Sequence, residues 1–519
     1  MTSRSAQEIS QLPEPGRDAR SGPAANRVQA AGMSSPPAVP ALTRRLSKYQ
    51  IALILIFVLT LPLMNPWVRG DGVGYYAFVR SLLIEHTLVF RQDWLHANIS
   101  FRMNRVDSQG RIKADQYTST GQLNNHFSIG PAILWTPFLI VAHAGVLAAD
   151  HLGAHIPADG FSRPYLVAMS FATALYGFLA IVISFALARR YVPERWAFVA
   201  CVGIWFGSSL PVYMYFDPSW SHAQSAFTVA LFVWYWLRTR GARSLPQWAL
   251  LGALGGLMMD VYYINTAVLL FAMIESLAGY WAALKSGERG DLVSLFYGNV
   301  LFSVALLAAF SPTLIAKKLI FGGFFSFGYT EHWFWDSPAF FKVCVSADHG
   351  LFSWTPILVF AVIGLFYLGR LDRIFGTYSL VVFAVYLYAI GCYQDWNGIS
   401  SFGSRFFVAL TPLFTIGLAA LFDWTACAWQ LRRAAAFLPA AVGLLVLWNL
   451  GLIFQWGMHL IPPRGPVSWR QAAYNQVRVV PVEAASEMTA YFTRRSNLMQ
   501  HIEQTDVHEL KTQQRQTTE

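Results

Sequence analysis

Charge is scarce in this chain. Asp, Glu, Lys and Arg make up 13% of its 519 residues, about half the share of a soluble domain, which excludes an ordinary water-soluble fold. Only four cysteines occur, Cys201, Cys344, Cys392 and Cys427. They show no C-x-x-C spacing, so neither a zinc site nor a disulfide framework is supported. Three of them lie in or beside apolar runs, where a thiol is a small packing residue. No internal repeat is visible. No small-residue cleavage site follows the first apolar run, which is therefore read as a retained helix and not a signal peptide. The net charge of +10 comes from short basic clusters between apolar runs, so it carries topology information and is no nucleic-acid footprint.

What is abundant is apolar: 55% of the residues are hydrophobic and 15% aromatic. Runs of roughly 18 to 25 apolar residues recur, each long enough to cross a hydrocarbon core as a helix. The expected crossings are 49–68, 164–188, 196–216, 220–237, 246–263, 265–284, 292–315, 351–369, 375–392, 406–425 and 434–458. The fold class expected is an all-α polytopic membrane protein of about eleven transmembrane helices. The clusters Arg44/Arg45/Lys48, Arg189/Arg190/Arg195, Arg238/Arg240/Arg243, Lys285/Arg289, Arg370/Arg373 and Arg432/Arg433 fall at alternate ends of these runs. The positive-inside rule then places the N-terminus and all six clusters in the cytoplasm.

Residues 1–45, rich in Ser, Pro, Ala and Arg, read as a disordered cytoplasmic tail. Residues 46–460 form the membrane domain, with 69–163 as one large first outer loop. Residues 461–519 read as a polar outer tail to which the sequence assigns no role. The segment Pro131 to Ala149 is nearly long enough to span, but counting it would turn the later basic clusters outward. An interfacial or re-entrant helix is expected instead. Tyr75 to Glu85 reads as an amphipathic helix lying along the membrane surface.

In this orientation the unusual polar clusters gather on the outer face. Asp71, in Arg69-Gly-Asp71-Gly-Val-Gly74, follows the first crossing. A partly desolvated carboxylate there suits a general base, although Gly-Asp-Gly is also an ordinary turn in which Asp71 pairs with Arg69. Arg80 and Glu85 add charge along the following helix, as a substrate contact or a solvated face. His126, in Asn124-Asn-His126-Phe-Ser, either donates to an anionic group or joins its asparagine neighbours in capping the next helix. Asp217 and His222, in Asp217-Pro-Ser-Trp-Ser-His222, sit at the rim of the bundle, where ionisable groups tend to be functional. Asp348 and His349 stand before a crossing. With Glu331 and His332 they offer donors to a divalent cation but no recognisable ligand spacing, so no metal or cofactor is expected. Arg405, preceded by Gly and Ser residues in Trp396-Asn-Gly-Ile-Ser-Ser-Phe-Gly-Ser-Arg405, is placed to grip a phosphate. Snorkelling to the interface is the alternative. Glu275 lies within a crossing, towards its cytoplasmic half.

These residues together resemble bacterial integral-membrane glycosyltransferases of the GT-C superfamily, the group that includes protein O-mannosyltransferases and aminoarabinose transferases. The likeness lies in Gly70-Asp-Gly-Val-Gly-Tyr-Tyr76, in His126 to Pro137, in Asp348-His-Gly-Leu-Phe-Ser-Trp-Thr-Pro356 and in Trp396 to Arg405. It covers about residues 49 to 458. The resemblance implies a multi-pass protein of the bacterial cytoplasmic membrane. It also implies a polyprenyl-phosphate sugar donor, a lipid, glycan or protein acceptor, and inverting transfer with Asp71 as base, Arg405 and His349 acting on the departing phosphate, and Asp348 among the substrate-binding residues. Many relatives carry two adjacent acids where this chain has Asp71 followed by Gly72, so a second carboxylate would come from Asp217 or Glu85. A polymerase or ligase of lipid-linked oligosaccharides shares such a site. A secondary transporter would instead call for repeated halves and midplane charges.

Overall fold

The computed structural model describes residues 46–428 and 434–518. The tail expected over 1–45 and the Arg432/Arg433 cluster lie outside the described residues. Regular structure is helical throughout, with only isolated β-bridges such as Val106 to Ile112 and Trp333 to Tyr393. In chain order the main helices begin with α1 (Lys48–Thr60), α2 (Asp71–Arg80), α3 (Gly130–His151), α4 (Arg163–Ala188) and α5 (Glu194–Gly207). Next come α6 (His222–Thr239), α7 (Leu245–Val261), α8 (Leu270–Ser286), α9 (Arg289–Phe321), α10 (Ile357–Leu371) and α11 (Arg373–Cys392). The last are α12 (Thr411–Ala428), α13 (Ala434–Gly457), α14 (Trp469–Arg478), α15 (Val480–Thr493) and α16 (Arg495–Thr518).

Each expected crossing finds a helix, and the protein is an all-α polytopic membrane protein. Among the described residues, seven helices are long and apolar enough to cross a membrane by length and composition, and Lys48–Leu63 and Ile357–Leu371 are shorter apolar helices. Local chemistry sets their ends. Ser47 with Gln50 and Ser244 with Gln247 form capping boxes, and Asp372 caps α11 by accepting from the Phe375 N–H. Helices α7 and α9 pack backbone to backbone: a Cβ at Gly252 would lie 2.1 Å from the Phe302 carbonyl oxygen, and one at Gly256 2.3 Å from that of Leu306. Small residues at this spacing are how membrane helices approach without a hydrophobic driving force.

The two ends of the bundle differ. At one end, ion pairs bind the short loops: Arg189 to Glu194 (3.0 Å), Arg240 to Asp372, and Arg243 to Glu275 (2.6 Å). Glu275 also accepts from Trp236 Nε1 at 2.7 Å. Its charge is satisfied by structure, which explains an acid on an apolar helix. The other end carries the first loop, the turn around Asp217 and the 393–405 loop. Helix α6 runs from one end to the other, and its 18 residues separate them by about 27 Å.

Three segments depart from expectation. Helix α2 is not a surface helix: every residue from Gly72 to Arg80 is buried, because the 90–101 segment and the 160–165 turn cover the face that periodicity left polar. Helix α3 is one continuous 22-residue helix through Pro137, which excludes the re-entrant of the two forms expected for it. It runs antiparallel to the first half of α4, with Trp135 donating to Thr173 (2.8 Å), Tyr176 to the Leu134 carbonyl (3.0 Å), and His143 meeting the Tyr165 hydroxyl (2.6 Å). The segment after residue 460 folds into α14, α15 and α16 and docks on the first loop.

Candidate active site

The strap from Asn65 to Gly70 sets the position of Asp71. The Asn65 N–H donates to the Tyr215 carbonyl (2.7 Å), and its side chain donates to that of Phe216 (3.3 Å). Gly70 then turns the chain at φ +54°, a left-handed value suited to glycine, and Asp71 opens α2. At Gly72 a Cβ would fall 1.9 Å from Ser219 Oγ. That contact explains the glycine after Asp71: α2 and the Asp217 turn touch there and leave no room for a side chain. Gly72→Ala is expected to displace the Asp71 turn and lower yield and thermal stability together, with partial recovery in Gly72→Ala/Ser219→Gly, measured by thermal unfolding of the purified protein.

Asp71 Oδ2 meets Arg405 Nη2 at 3.0 Å, with the acid 35% and the guanidinium 13% exposed. Two residues more than three hundred positions apart thus meet in one ion pair. The guanidinium lies over the Trp220 ring, 4.5 Å from its centroid, and Trp220 Nε1 donates to the Arg69 carbonyl (3.1 Å). The loop leading to Arg405 is fixed from below. The Phe402 N–H donates to the Tyr213 hydroxyl (3.2 Å), Ser401 Oγ to the Gly403 carbonyl (2.9 Å), and Asn397 Nδ2 to Asp348 (2.7 Å). Arg405 Nε and Ser404 Oγ are buried without a hydrogen-bond partner among the described residues. A fixed cation with unspent donors beside a hydroxyl is the chemistry of an anion site.

The other sequence candidates divide. Asp217 is buried close to Arg69 and Asp71, and burial raises its pKa against the pull of Arg69. No hydrogen bond joins it to His222. That imidazole is boxed by Tyr213 (4.6 Å), Tyr262 (5.3 Å) and Trp220 (6.0 Å between ring centroids). His349 lies buried against Trp354 (4.8 Å), beneath the Arg405 loop. Burial takes its pKa down to about 4 against the attraction of Asp348, so it supports the loop as a neutral ring. Arg80 is placed elsewhere. It is 2% exposed and grips both oxygens of Asp93 (2.6 and 2.8 Å), with Glu85 at 3.0 Å. It is a buried structural ion pair, neither a substrate contact nor a solvated face, and Glu85 is spent on it. Glu331/His332 and Asp348/His349 do not converge as a cation site.

His126 stacks on Phe127 (4.2 Å) and Tyr329 (5.0 Å) within electrostatic reach of Asp71. Burial lowers its pKa from 6.5 to about 4, against Asp71 and with the help of Lys317 and Arg105. Between those values the unfolded chain takes up a proton that the folded chain refuses. Stability is therefore expected to fall as pH drops from about 6.5 towards 4, and His126→Gln should flatten that slope in thermal unfolding at graded pH.

Several residues of the site escaped sequence reasoning. Lys317, buried on α9, donates to the carbonyls of Asn125 (3.1 Å) and Phe127 (2.8 Å), while Asn125 Nδ2 holds the Gly74 carbonyl (2.9 Å). This lysine fixes the His126 strap. Arg105 and Tyr75 also lie near Asp71. Helix α16 clamps the strap before Asp71. Asp506 pairs with Arg69 (2.5 Å), Glu503 accepts from the Ser100 N–H (2.6 Å), and Arg495 holds the Met64 and Pro62 carbonyls. His459, Asp506 and Glu509 form the one acid–imidazole group with metal-like spacing among the described residues. Both imidazole nitrogens face acids and Arg69 already occupies Asp506, which makes it an ion-pair clamp.

Fold and site together define a polytopic all-helical membrane protein with an acid–guanidinium pair at one end of its bundle. No protein-family model matches the chain, and no curated protein matches it in sequence. Among solved structures it is similar to ArnT from Cupriavidus metallidurans bound to undecaprenyl phosphate, at 13% identity and a TM-score of 0.45 over 78% of this chain and 70% of that one. It is likewise similar to the same protein in the apo state, at 14% identity and a TM-score of 0.45 over 78% and 71% of the two chains.

Proposed function

We propose that this protein is a membrane glycosyltransferase that moves a sugar from a polyprenyl-phosphate donor to an acceptor hydroxyl, with inversion, at the outer face of a bacterial cytoplasmic membrane. The observation that carries the reading is the Asp71–Arg405 contact at 3.0 Å, at the end of the bundle away from the paired basic loops. A half-exposed carboxylate and a cation with spare donors are the two groups such a transfer needs.

The steps follow from charge. The donor phosphodiester bears one negative charge and sits against Arg405, Ser404 Oγ and the turn that holds them. Binding there draws the guanidinium from Asp71 to the phosphate and frees the carboxylate oxygen. Asp71 then takes the acceptor proton as the acceptor oxygen bonds to the anomeric carbon, which passes through an oxocarbenium-like state. The bond from that carbon to the phosphate oxygen breaks, leaving a polyprenyl monophosphate with one further negative charge. Arg405 stabilises that charge where it develops. No strong general acid is required, because phosphate leaves readily. Without donor, Arg405 keeps Asp71 occupied, which limits activation of water.

The test combines composition and topology. Mass spectrometry of envelope glycans and glycolipids from cells with and without the protein should show one glycosylated species that depends on it. Ser108→Cys, at an exposed loop tip, should react with an impermeant thiol reagent on intact cells, in a background in which Cys344 and Cys427 are serine. Ser286→Cys, at the exposed C-terminal end of α8, should react only after lysis. An unchanged envelope, or the reverse labelling, would overturn the proposal.

A further inference from the structure

Beside Asp71 lies a polar cavity of about 170 Å³ that the donor chemistry leaves unused. It is enclosed between the first loop (Trp94, Phe101, Arg105, Asn124, His126) and the 328–331 turn, where Glu331 stands. The wall of the cavity reaches the first turn of α2, which Asp71 opens: Phe127 packs on Tyr75 at 4.8 Å between ring centroids, and a Cβ at Gly74 would fall 2.0 Å from the Phe127 ring. A second cavity, about 470 Å³ between α3 and α4, is lined by Ala142, Val146, Val167 and Phe171 and offers no such group.

Two polar atoms among the residues of the polar cavity are buried and unmatched. Trp94 is 2% exposed, and neither its Nε1–H nor the Asn124 side-chain oxygen has a hydrogen-bond partner among the described residues. An unmet buried donor and acceptor carry an unrelieved desolvation penalty, and a polar ligand beside them is one way to relieve it. The charges here cancel: Arg105, stacked 3.9 Å from the Phe101 centroid, faces an acidic Glu331 across the space. An anionic head group would meet Glu331, and an ammonium would meet Arg105. Neutral hydroxyls suit both. The accessible lining is mostly polar, with Trp94, Phe101 and Phe127 buried behind it, so it offers hydrogen-bonding groups and no greasy slot. The volume is below the roughly 300–1,000 Å³ of a usual small-molecule cleft, so the cavity takes one ring and neither an oligosaccharide nor a lipid tail.

We infer that this cavity binds the terminal neutral sugar of the acceptor, so that the protein extends a glycan and does not glycosylate a protein side chain or a phosphorylated lipid head. The inference rests on the glycosyltransferase reading. The cavity orients the ring so that one hydroxyl reaches Asp71, while the rest of the glycan projects past Thr330 towards solvent.

The test uses the full-length protein in nanodiscs and saturation-transfer NMR with methyl glycosides of the common hexopyranoses. N-acetylserinamide and glycerol phosphate serve as the protein-like and phosphate-like probes. At least one methyl pyranoside should receive saturation, and its signal should fall at least fivefold in Thr330→Trp, an exposed position that fills the cavity mouth. Binding of undecaprenyl phosphate by the same variant should be unchanged. Saturation of no pyranoside, an equal signal in Thr330→Trp, or a preference for N-acetylserinamide or glycerol phosphate would overturn the inference. Failure of the wild type to bind undecaprenyl phosphate would instead overturn the donor assignment.

Discussion

Asp71→Asn should lower sugar transfer in reconstituted vesicles roughly 10²–10⁴-fold, the range that one positioned acid–base group supplies. The carboxamide has nearly the carboxylate's shape, and its oxygen can still accept from the Arg405 Nη2 now 3.0 Å from Asp71 Oδ2. Expression, membrane insertion and thermal unfolding should therefore stay close to wild type. What is removed is the capacity to hold the acceptor's proton. No neighbour substitutes: Asp217 is buried beside Arg69, and Glu85 is committed to Arg80. Transfer near the wild-type rate would take Asp71 out of the mechanism.

Arg405→Ala should raise the donor concentration needed for half-maximal transfer by about 10- to 150-fold, since hydrogen bonds to charged groups contribute about 1.5–3 kcal/mol and each 1.4 kcal/mol is tenfold. The maximal rate should fall as well, because the leaving phosphate gains charge in the transition state. Arg405→Lys should recover only part of both losses. An ammonium keeps the charge but loses the fork of donors and the flat contact with Trp220 at 4.5 Å. Folding should survive either change, as Asp71 is 35% exposed and water can take over its oxygen. A donor dependence equal to wild type in Arg405→Ala would exclude this residue as the phosphate anchor.

Much of this architecture could be read before any coordinates, for a physical reason. Apolar runs and basic loops report the solvent each residue meets, and membrane helices obey that rule strictly. The convergence of Asp71 and Arg405 followed from the same rule, because both stand at the same end of their crossings. What could not be read depends on pairs. Arg80 looks like a charged residue on an amphipathic face until Asp93 is brought against it. Lys317 lies on an apolar helix with nothing beside it in sequence to mark its role, and only the fold turns it inward to the carbonyls of Asn125 and Phe127. Helix α16 has no apolar signature, and its docking comes from Glu503, Asp506 and Arg495 finding partners some four hundred residues earlier. Gly72 in the sequence shows only a glycine after Asp71. Contact with Ser219 supplies the reason.

In the proposed mechanism Arg405 releases Asp71 to take a polyprenyl phosphate. Native mass spectrometry of the full-length protein in nanodiscs with undecaprenyl phosphate tests it most directly. One lipid should bind to the wild type. Asp71→Asn should bind it at least as tightly, since the competing carboxylate charge is gone, and Arg405→Ala should bind it at least tenfold more weakly. Equal binding by all three proteins, or tighter binding by Arg405→Ala, would contradict the account.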